Sequence, residues 1–333
     1  MQVLKATLYF SVAAVFAAVF TRETRAQDVA FSQYIFNPVY LNPALAGISG
    51  GPRFIVNYRN QWPALTDAYV TYSASYDQHF PEIGGGVGFQ ILSDNQASGT
   101  YRQTAVSGAY NYMFVVSEKT AIRIGLQTAI QQHRIFWERL LFADEFDVET
   151  VLPGAVSQEM LPSFTNKTNV DFGAGMVLYG KKAYAGLVVK HVSQPNVSLY
   201  NERRAPLPMM ISGNLGAEIK TKRNGRTYIS PNLMYARQAK HSQIQGHLLV
   251  YRGPVLGGIG LRRAAQNTDA VIFYAGMRTG VFRAVYSYDN TYSNLRGRSG
   301  GAHELSMALN LNEGKKARRK ARLKNSIDCP ELL

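Results

Sequence analysis

Residues 121–131 read Ala-Ile-Arg-Ile-Gly-Leu-Gln-Thr-Ala-Ile-Gln, and the alternation in this stretch decides the fold. Successive side chains of a β-strand point to opposite faces. In an extended chain Ile122, Ile124 and Leu126 therefore share one face, while an arginine, a glycine and a glutamine share the other. The stretch predicts a strand with one apolar face and one small or polar face.

The same period-two pattern recurs along most of the chain and predicts fourteen strands. They lie at residues 53–61, 69–79, 84–94, 101–115, 119–134, 168–181, 183–192, 209–222, 225–238, 241–252, 255–263, 269–279, 281–290 and 302–312. Many of them reach the roughly 9–11 residues that a tilted strand needs to cross a bilayer. An even number of strands is also typical of bacterial outer-membrane barrels.

The residues on the second face distinguish a membrane barrel from a soluble β-sandwich. A sandwich also alternates, but its exposed face is usually rich in lysine and glutamate. Here the second face holds mostly glycine, alanine, serine, asparagine and glutamine, which suits a crowded polar lumen. Tyrosines near the strand ends, such as Tyr110, Tyr251 and Tyr286, fit the aromatic girdles at the two membrane interfaces.

The connections between the predicted strands differ in length according to their order in the chain. The even-numbered connections are all short, for example Gly253-Pro254. The long connections are all odd-numbered and lie at about 135–167, 193–208 and 291–301. Short periplasmic turns and longer outer loops are typical of outer-membrane barrels. The predicted fold is therefore all-β, an antiparallel transmembrane β-barrel of about 14 strands with both termini in the periplasm.

Composition excludes several other classes of protein. The chain has 333 residues, with 36 Lys+Arg against 22 Asp+Glu, and only 17% of the residues are charged. Few charges and many aromatic residues exclude a disordered chain. A single cysteine excludes a disulfide framework and any cysteine-based metal site.

Four regions follow along the chain. Residues 1–26 combine a positive start with a 15-residue apolar run, which predicts a secretory signal too short to span a bilayer. Residues 27–52 are predicted to be an N-terminal lead-in segment that forms a periplasmic or lumenal cap. Residues 53–312 are the predicted outer-membrane barrel, and residues 313–333 are a predicted basic tail in the periplasm.

The lead-in and the tail each leave an alternative open. The lead-in, from Phe31 to Pro38 and on through Asn42-Pro43, is interpreted first as a cap and second as a docking or plugging element. The tail places seven lysines and arginines within residues 315–324, a pattern typical of a solvated tail. It is also suited to contact an acidic partner or anionic lipid headgroups.

The sequence contains little that points to chemistry. No two of the six histidines have metal-ligand spacing with a carboxylate partner, and no local motif singles out a catalytic Ser–His pair. The loop carboxylates Asp144, Glu145, Asp147 and Glu149 suit weak Ca²⁺ binding but lack an ordering glycine and a defined ligand series. We therefore expect no enzyme activity, no catalytic residues, no cofactor, no resident metal and no nucleic-acid partner.

Several motifs nevertheless resemble a known family. The lead-in motif that ends in Asn42-Pro43-Ala44-Leu45-Ala46-Gly47 is followed by Tyr58-Arg59-Asn60-Gln61-Trp62-Pro63 and Thr71-Tyr72-Ser73-Ala74-Ser75-Tyr76-Asp77. Weaker matches are Gly85-Gly86-Val87-Gly88-Phe89-Gln90 and a stretch that begins at Gly125-Leu126-Gln127 and ends with Trp137 to Asp147. Together they resemble the PorP/SprF membrane proteins of the Bacteroidota type IX secretion and gliding machinery. The basic tail is not part of this pattern.

The resemblance implies a non-enzymatic component of the outer membrane. Its expected partners are outer-membrane lipid, periplasmic ring lipoproteins, a peptidoglycan-binding OmpA-like lipoprotein, and exported cargo or adhesin proteins. The candidate partner-binding residues are Phe31, Gln33, Tyr34, Phe36, Asn37, Pro38, Asn42, Pro43, Trp62, Trp137, Lys315, Lys316, Arg318 and Arg319. The alternative function is a diffusion pore or solute-specific channel, because a barrel of fourteen strands is wide enough to hold a lumen.

Overall fold

The computed structural model describes residues 28–65, 69–140, 142, 145–147, 150–151, 163–201, 203–221, 227–264, 269–292 and 299–311. The predicted signal segment and the basic tail lie outside these residues. No helix among the described residues is long and apolar enough to cross a membrane.

Fourteen antiparallel strands form one closed sheet in which each strand pairs with its neighbours in the sequence. They are β1 (Arg53–Gln61), β2 (Tyr69–Phe80), β3 (Gly85–Gln96), β4 (Tyr101–Ser117), β5 (Thr120–Ile135), β6 (Asn166–Gly180), β7 (Ala183–Lys190), β8 (Met210–Ala217, continued by Ile219–Lys220), β9 (Thr227–Gln238), β10 (His241–Arg252), β11 (Val255–Ala264), β12 (Ala270–Thr279), β13 (Phe282–Thr291) and β14 (Ala302–Asn310). The predicted antiparallel barrel and its fourteen strands are confirmed.

The barrel closes between its first and last strands. All nine residues of β1 pair with β2 on one side and with β14 on the other, from Arg53 opposite Asn310 to Gln61 opposite Ala302. Closure leaves no unpaired sheet edge, which is the condition for a β-structure to lie in lipid.

The alternation in the sequence divides the residues between the outside and the inside of the barrel. On β5, Ile124 and Leu126 are exposed on the outer surface, the latter at 64%, whereas Arg123 is buried in the lumen. The exposed apolar side chains of all fourteen strands form the surface that contacts lipid. The protein is an outer-membrane β-barrel.

The two ends of the barrel differ in the length of their connections. At one end, here called the short-turn end, the turns include residues 81–84, 118–119, 181–182, 253–254 and 280–281. The opposite end, here called the long-loop end, carries the connections 136–165 and 191–209. Long loops of outer-membrane barrels usually face the cell exterior, and by this rule we call the long-loop end the outer end. The predicted sorting of connection lengths is confirmed.

The buried core lies in the lumen, where lumen-facing side chains of the strands pack against residues 28–52, here called the plug. It contains a 3₁₀ turn at Tyr34–Phe36, one α-helical turn at Pro38–Leu41 and a 3₁₀ turn at Pro43–Leu45. Further 3₁₀ turns outside the plug lie at Pro81–Ile83, Ala97–Gly99 and Trp137–Arg139. Prolines begin the second and third plug turns because their fixed φ suits the first helical position and no N–H is needed there.

Candidate functional site

The plug runs through the lumen from the outer end of the barrel to the short-turn end. Its first described residue, Asp28, contacts His191, which follows β7, and Gln238, the last residue of β9. Near its other end the Gly47 N–H donates to Asp77 of β2, beside the short-turn end. Asp28 and the start of β1 therefore lie at opposite ends of the barrel. Asn310 of β14 lies opposite Arg53, at the short-turn end. That the two termini lie in the periplasm stays a prediction.

A charged cluster holds the outer half of the plug to the seam between β1, β13 and β14. Arg59 forms ion pairs with Asp289 at 3.2 Å and with Glu304 at 2.9 Å, and Arg262 pairs with Asp289 at 3.0 Å. The Ser32 hydroxyl donates to Asp289 and accepts hydrogen bonds from both arginines. All of these groups are buried. Such charges are stable inside a protein only when they are paired and hydrogen-bonded, so the cluster fixes the plug at one position.

Backbone hydrogen bonds add to this attachment. The N–H groups of Ser32 and Gln33 donate to the two carboxylate oxygens of Glu304 at 2.9 and 3.0 Å. The Gln33 amide also donates to the Glu304 carbonyl at 2.8 Å and to Ser287 at 3.0 Å. The plug thereby satisfies lumenal polar groups of β13 and β14 that lie far from water.

Asparagines hold the middle of the plug. The Asn42 amide donates to the backbone carbonyls of Met176 and Leu187, at 3.3 and 3.0 Å, and its oxygen accepts from the Ala44 N–H at 2.9 Å. Asn37 accepts a hydrogen bond from Gln90 of β3 at 3.0 Å. The Asn-Pro motifs of the sequence thus have a structural role, since each asparagine connects a plug turn to the barrel wall.

The inner half of the plug lies against the wall so closely that only glycine fits there. A Cβ on Gly86 would overlap the Ala46 carbonyl, one on Gly125 would overlap the backbone of Ala44, and one on Gly175 would overlap the Asn42 side chain. The Ala46 carbonyl also accepts hydrogen bonds from Arg123 at 3.0 Å and from the Asn111 amide at 2.8 Å. Lumenal glycines therefore serve the close approach of two backbones.

A cavity of about 640 Å³ lies above the plug at the outer end, and we call it the outward vestibule. Plug residues such as Phe31 and Tyr34 form its floor, and the outer ends of the strands form its walls. Trp62 and Tyr69 line it with rings that meet edge to face at 5.7 Å. Trp62 has a left-handed backbone with φ of 60°, a conformation that costs free energy for a non-glycine residue.

One titratable pair attaches the start of the plug to the wall. His191 contacts Asp28 at 2.8 Å and Asp171 at 2.7 Å. Burial lowers the pKa of His191, but the two carboxylates outweigh it and raise that pKa to about 9. Burial likewise raises the pKa of Asp28, whereas His191 and Lys190 lower it, with a net pKa of about 2. The pair is therefore charged on both sides at neutral pH.

The structure places the predicted partner-binding residues in three different surroundings. Eight of them, Phe31, Gln33, Tyr34, Phe36, Asn37, Pro38, Asn42 and Pro43, are buried inside the barrel. Trp62 lines the outward vestibule, and Trp137 lies at the outer rim with its ring 5.0 Å from that of Phe142. The basic residues Lys315, Lys316, Arg318 and Arg319 lie outside the described residues. Partner binding by all of these residues stays a prediction, and the eight buried side chains contact their own barrel.

Sequence reasoning missed the charged residues that hold the plug. The sequence contained a signal for these residues, because Arg59, Asp289 and Glu304 are charged residues on the lumenal face of alternating strands. Among the residues that the structure describes, no group of three His, Cys, Asp or Glu side chains is arranged to hold a metal ion. Asp144 and Glu149 of the acidic loop lie outside the described residues.

The family model for the type IX secretion system membrane protein PorP/SprF matches residues 23–309. No curated protein matches the chain.

Solved structures with a similar fold include the Ralstonia pickettii toluene transporter TbuX, with 10% identity, a TM-score of 0.49 and coverage of 82% of this chain and 92% of that chain. The P. putida toluene transporter TodX has 10% identity, a TM-score of 0.47 and coverage of 81% and 92%. The Acinetobacter baumannii outer membrane protein Omp33 has 6% identity, a TM-score of 0.43 and coverage of 78% and 98%. Identities of this size give no information on the ligands of this chain.

Proposed function

This chain belongs to the PorP/SprF family of type IX secretion system membrane proteins, and from this membership we propose that it is a non-enzymatic scaffold of the secretion and gliding machinery. In this proposal the barrel assists the export and surface attachment of cargo proteins. It has no catalytic role and acts through the surfaces that it presents on the two sides of the outer membrane.

The filled lumen is the observation that carries the proposal. Residues 31–39 and 41–48 are all buried, and their hydrogen bonds reach β3, β5, β7, β12 and β14 around the barrel. Beside the plug, the space between it and the wall of β3 to β7 is only about 60 Å³. A barrel filled in this way is poorly suited to pass solutes, whereas a rigid body with two differently shaped ends suits a scaffold.

Each end of the barrel has a proposed partner. The short-turn end faces the periplasm, and there the turns meet the ring lipoproteins and the peptidoglycan-binding OmpA-like lipoprotein. At the outer end the loops 136–165 and 191–209, together with Trp62 and Trp137, meet the exported cargo or adhesin. The outward vestibule is open to a segment of such a protein, and its aromatic and amide lining suits a peptide.

Loss of cargo export tests the proposal. Deleting the gene should leave cargo proteins inside the cell, because the exporting assembly lacks its outer-membrane scaffold. Cargo in the medium and on the cell surface is measured against cargo in the periplasm, with the wild-type gene restored in trans as the control. Normal export and attachment of every cargo protein in the deletion strain would overturn the proposal.

Partner binding is tested separately. The complex is solubilised in mild detergent, purified on the barrel, and its components are identified by mass. Recovery of ring lipoproteins and the OmpA-like lipoprotein supports the scaffold role. Recovery of the barrel alone, from cells in which the other components are present, contradicts it.

A further inference from the structure

Three arginines surround a single phenylalanine ring on the outer rim of the barrel. The guanidinium carbons of Arg102, Arg134 and Arg139 lie 5.2, 4.4 and 5.0 Å from the centroid of the Phe136 ring. The ring face attracts cations and holds the three side chains together. All three arginines are exposed, and together we call them the arginine cluster.

The arginine cluster carries a positive charge with which no described carboxylate forms an ion pair. Within the described part of the chain no ion pair involves any of the three arginines. Their hydrogen bonds go to neutral oxygens, from Arg102 to the Asn95 side chain and from Arg139 to the Gly99 carbonyl. Arg102 also lies directly opposite Arg134 across the β4–β5 ladder, an arrangement of like charges that destabilises a sheet. A bound anion would remove this repulsion.

The position of the arginine cluster relative to the apolar band of the barrel indicates which kind of anion lies near it. Arg134 is on the lipid-facing side of β5, four residues beyond the exposed Ile130, and Arg102 is four residues from the exposed Val106 of β4. Four residues of a strand correspond to about 13 Å, which places the guanidinium groups just above the apolar band of the barrel. Since this is the long-loop end, the cluster lies at the level of the headgroups of the outer leaflet.

We propose that the arginine cluster binds the phosphate groups of a lipid in the outer leaflet of the outer membrane. Guanidinium groups form paired hydrogen bonds with phosphate oxygens, and three of them match a headgroup with more than one phosphate. Apolar residues directly below, among them Val106, Ile130 and Val170, cover the strands where the acyl chains of the same lipid would lie. Free phosphate would gain nothing from this apolar surface, and neither would an acidic peptide.

Lipid binding to matched variants tests the proposal. The full-length barrel in a neutral detergent is titrated with lipid A, a glycolipid with two phosphates, and the bound lipid is counted by native mass spectrometry. The test variant carries Arg102→Gln, Arg134→Gln and Arg139→Gln. The control variant carries Lys119→Gln, Lys181→Gln and Lys182→Gln, which removes the same charge from exposed positions at the short-turn end. A heat-modifiable shift on gels verifies that each variant forms the barrel.

We expect the test variant to bind lipid A roughly 100-fold more weakly than the wild type, on the usual contribution of a basic side chain at an anionic membrane surface. The control variant should bind as the wild type does, and fully dephosphorylated lipid A should bind weakly to all three proteins.

Equal binding of lipid A by wild type and test variant would overturn the proposal. Equal binding of the phosphorylated and dephosphorylated lipids would do so as well. Displacement of lipid A by inorganic phosphate or by poly-glutamate at the same concentration would reassign the cluster to free anions or to an acidic protein. None of these outcomes depends on the proposed role in secretion.

Discussion

Glu304 illustrates how one residue can fix the position of a whole segment. Its carboxylate accepts the N–H groups of Ser32 and Gln33 and pairs with Arg59, and only 1% of the residue is exposed. Replacing it by glutamine leaves a near-isosteric side chain that lacks the charge. Arg59 would then keep one charged partner, Asp289, beside the Ser32 hydroxyl.

We expect Glu304→Gln to lower the stability of the folded barrel by about 3 kcal/mol, because breaking a buried ion pair leaves an uncompensated charge. Urea unfolding in detergent, followed by the gel shift, measures the change. Glu138→Gln at the exposed outer rim is the control and should have little effect. A Glu304→Gln barrel as stable as the wild type would show that the charge does not hold the plug.

The pair of His191 and Asp28 predicts a response of the plug to pH. The pKa of His191 rises from an ordinary 6.5 to about 9, so its stabilising contribution is complete below pH 6.5 and is lost as the pH rises through 9. The pKa of Asp28 falls from 3.8 to about 2, so its contribution is complete above pH 3.8 and is lost as the pH falls through 2. The start of the plug should therefore be released above pH 9.

A fluorescent label reports this release. The single native Cys329 is replaced by serine, Val29 is replaced by cysteine and labelled, and the mobility of the label is followed from pH 6 to about pH 10. In the His191→Gln background the label should be mobile already at neutral pH. The same alkaline transition in both proteins would mean that another group causes it.

Two glycines on adjacent strands provide a test of how closely the plug is packed. A Cβ on Gly125 of β5 would overlap the plug backbone, whereas one on Gly108 of β4 would have its nearest neighbour at 3.8 Å on the outer surface. We expect Gly125→Ala to lower stability by about 1–3 kcal/mol, as overpacking does, and Gly108→Ala to be nearly neutral. The same urea measurement decides, and equal stability of the two variants would contradict a closely packed plug.

We expect the plug to determine whether the barrel conducts ions. The wild type should give no stable conductance in planar bilayers, because the plug fills the lumen. Deleting residues 28–46 should open a conducting pathway, since a barrel of fourteen strands leaves a lumen when nothing fills it. The conductance of the deletion variant in a bilayer, compared with that of the Gly108→Ala barrel, measures the effect. A large, stable conductance of the wild type would favour the solute-channel alternative.

The strands could be predicted from the sequence because each one is specified locally. Ile122, Ile124 and Leu126 alternate with small and polar residues, and lipid outside and a polar lumen inside impose the same alternation on every strand. The bounds differ by only a few residues, as for β3, predicted at 84–94 and observed as Gly85–Gln96. The lengths of the turns could be predicted in the same way, from the residues between adjacent strands.

The plug could not be predicted in the same way, because its conformation depends on distant partners. Gln33 binds Glu304, which lies 271 residues further along the chain, and Asn42 binds Leu187, 145 residues away. Its turns have few residues and little periodicity, so only the Asn-Pro pairs and the aromatic residues indicated an ordered segment. The direction of the plug through the barrel depends on its contacts with charged residues in the lumen. The alternation alone does not show which of these residues bind the plug.

The two ends of the whole molecule differ in shape. The outer end carries the vestibule and the long loops, whereas the described connections at the short-turn end are brief turns. A partner protein can therefore distinguish the two ends by their shape, without any conformational change in the barrel. This asymmetry suits a protein that connects machinery below the membrane to cargo above it.

The direction of the plug also constrains how the molecule is assembled. Its attachments reach β1, β13 and β14, at and beside the closing seam, and its first described residue, Asp28, lies at the outer end. If the barrel closed first, the plug would have to enter it from the short-turn end, against this tight packing. We expect the amino-terminal segment to bind the open sheet first. The last strand then pairs with the first strand and closes the barrel around this segment. In that order, the segment that closes the lumen is also the surface on which the barrel forms.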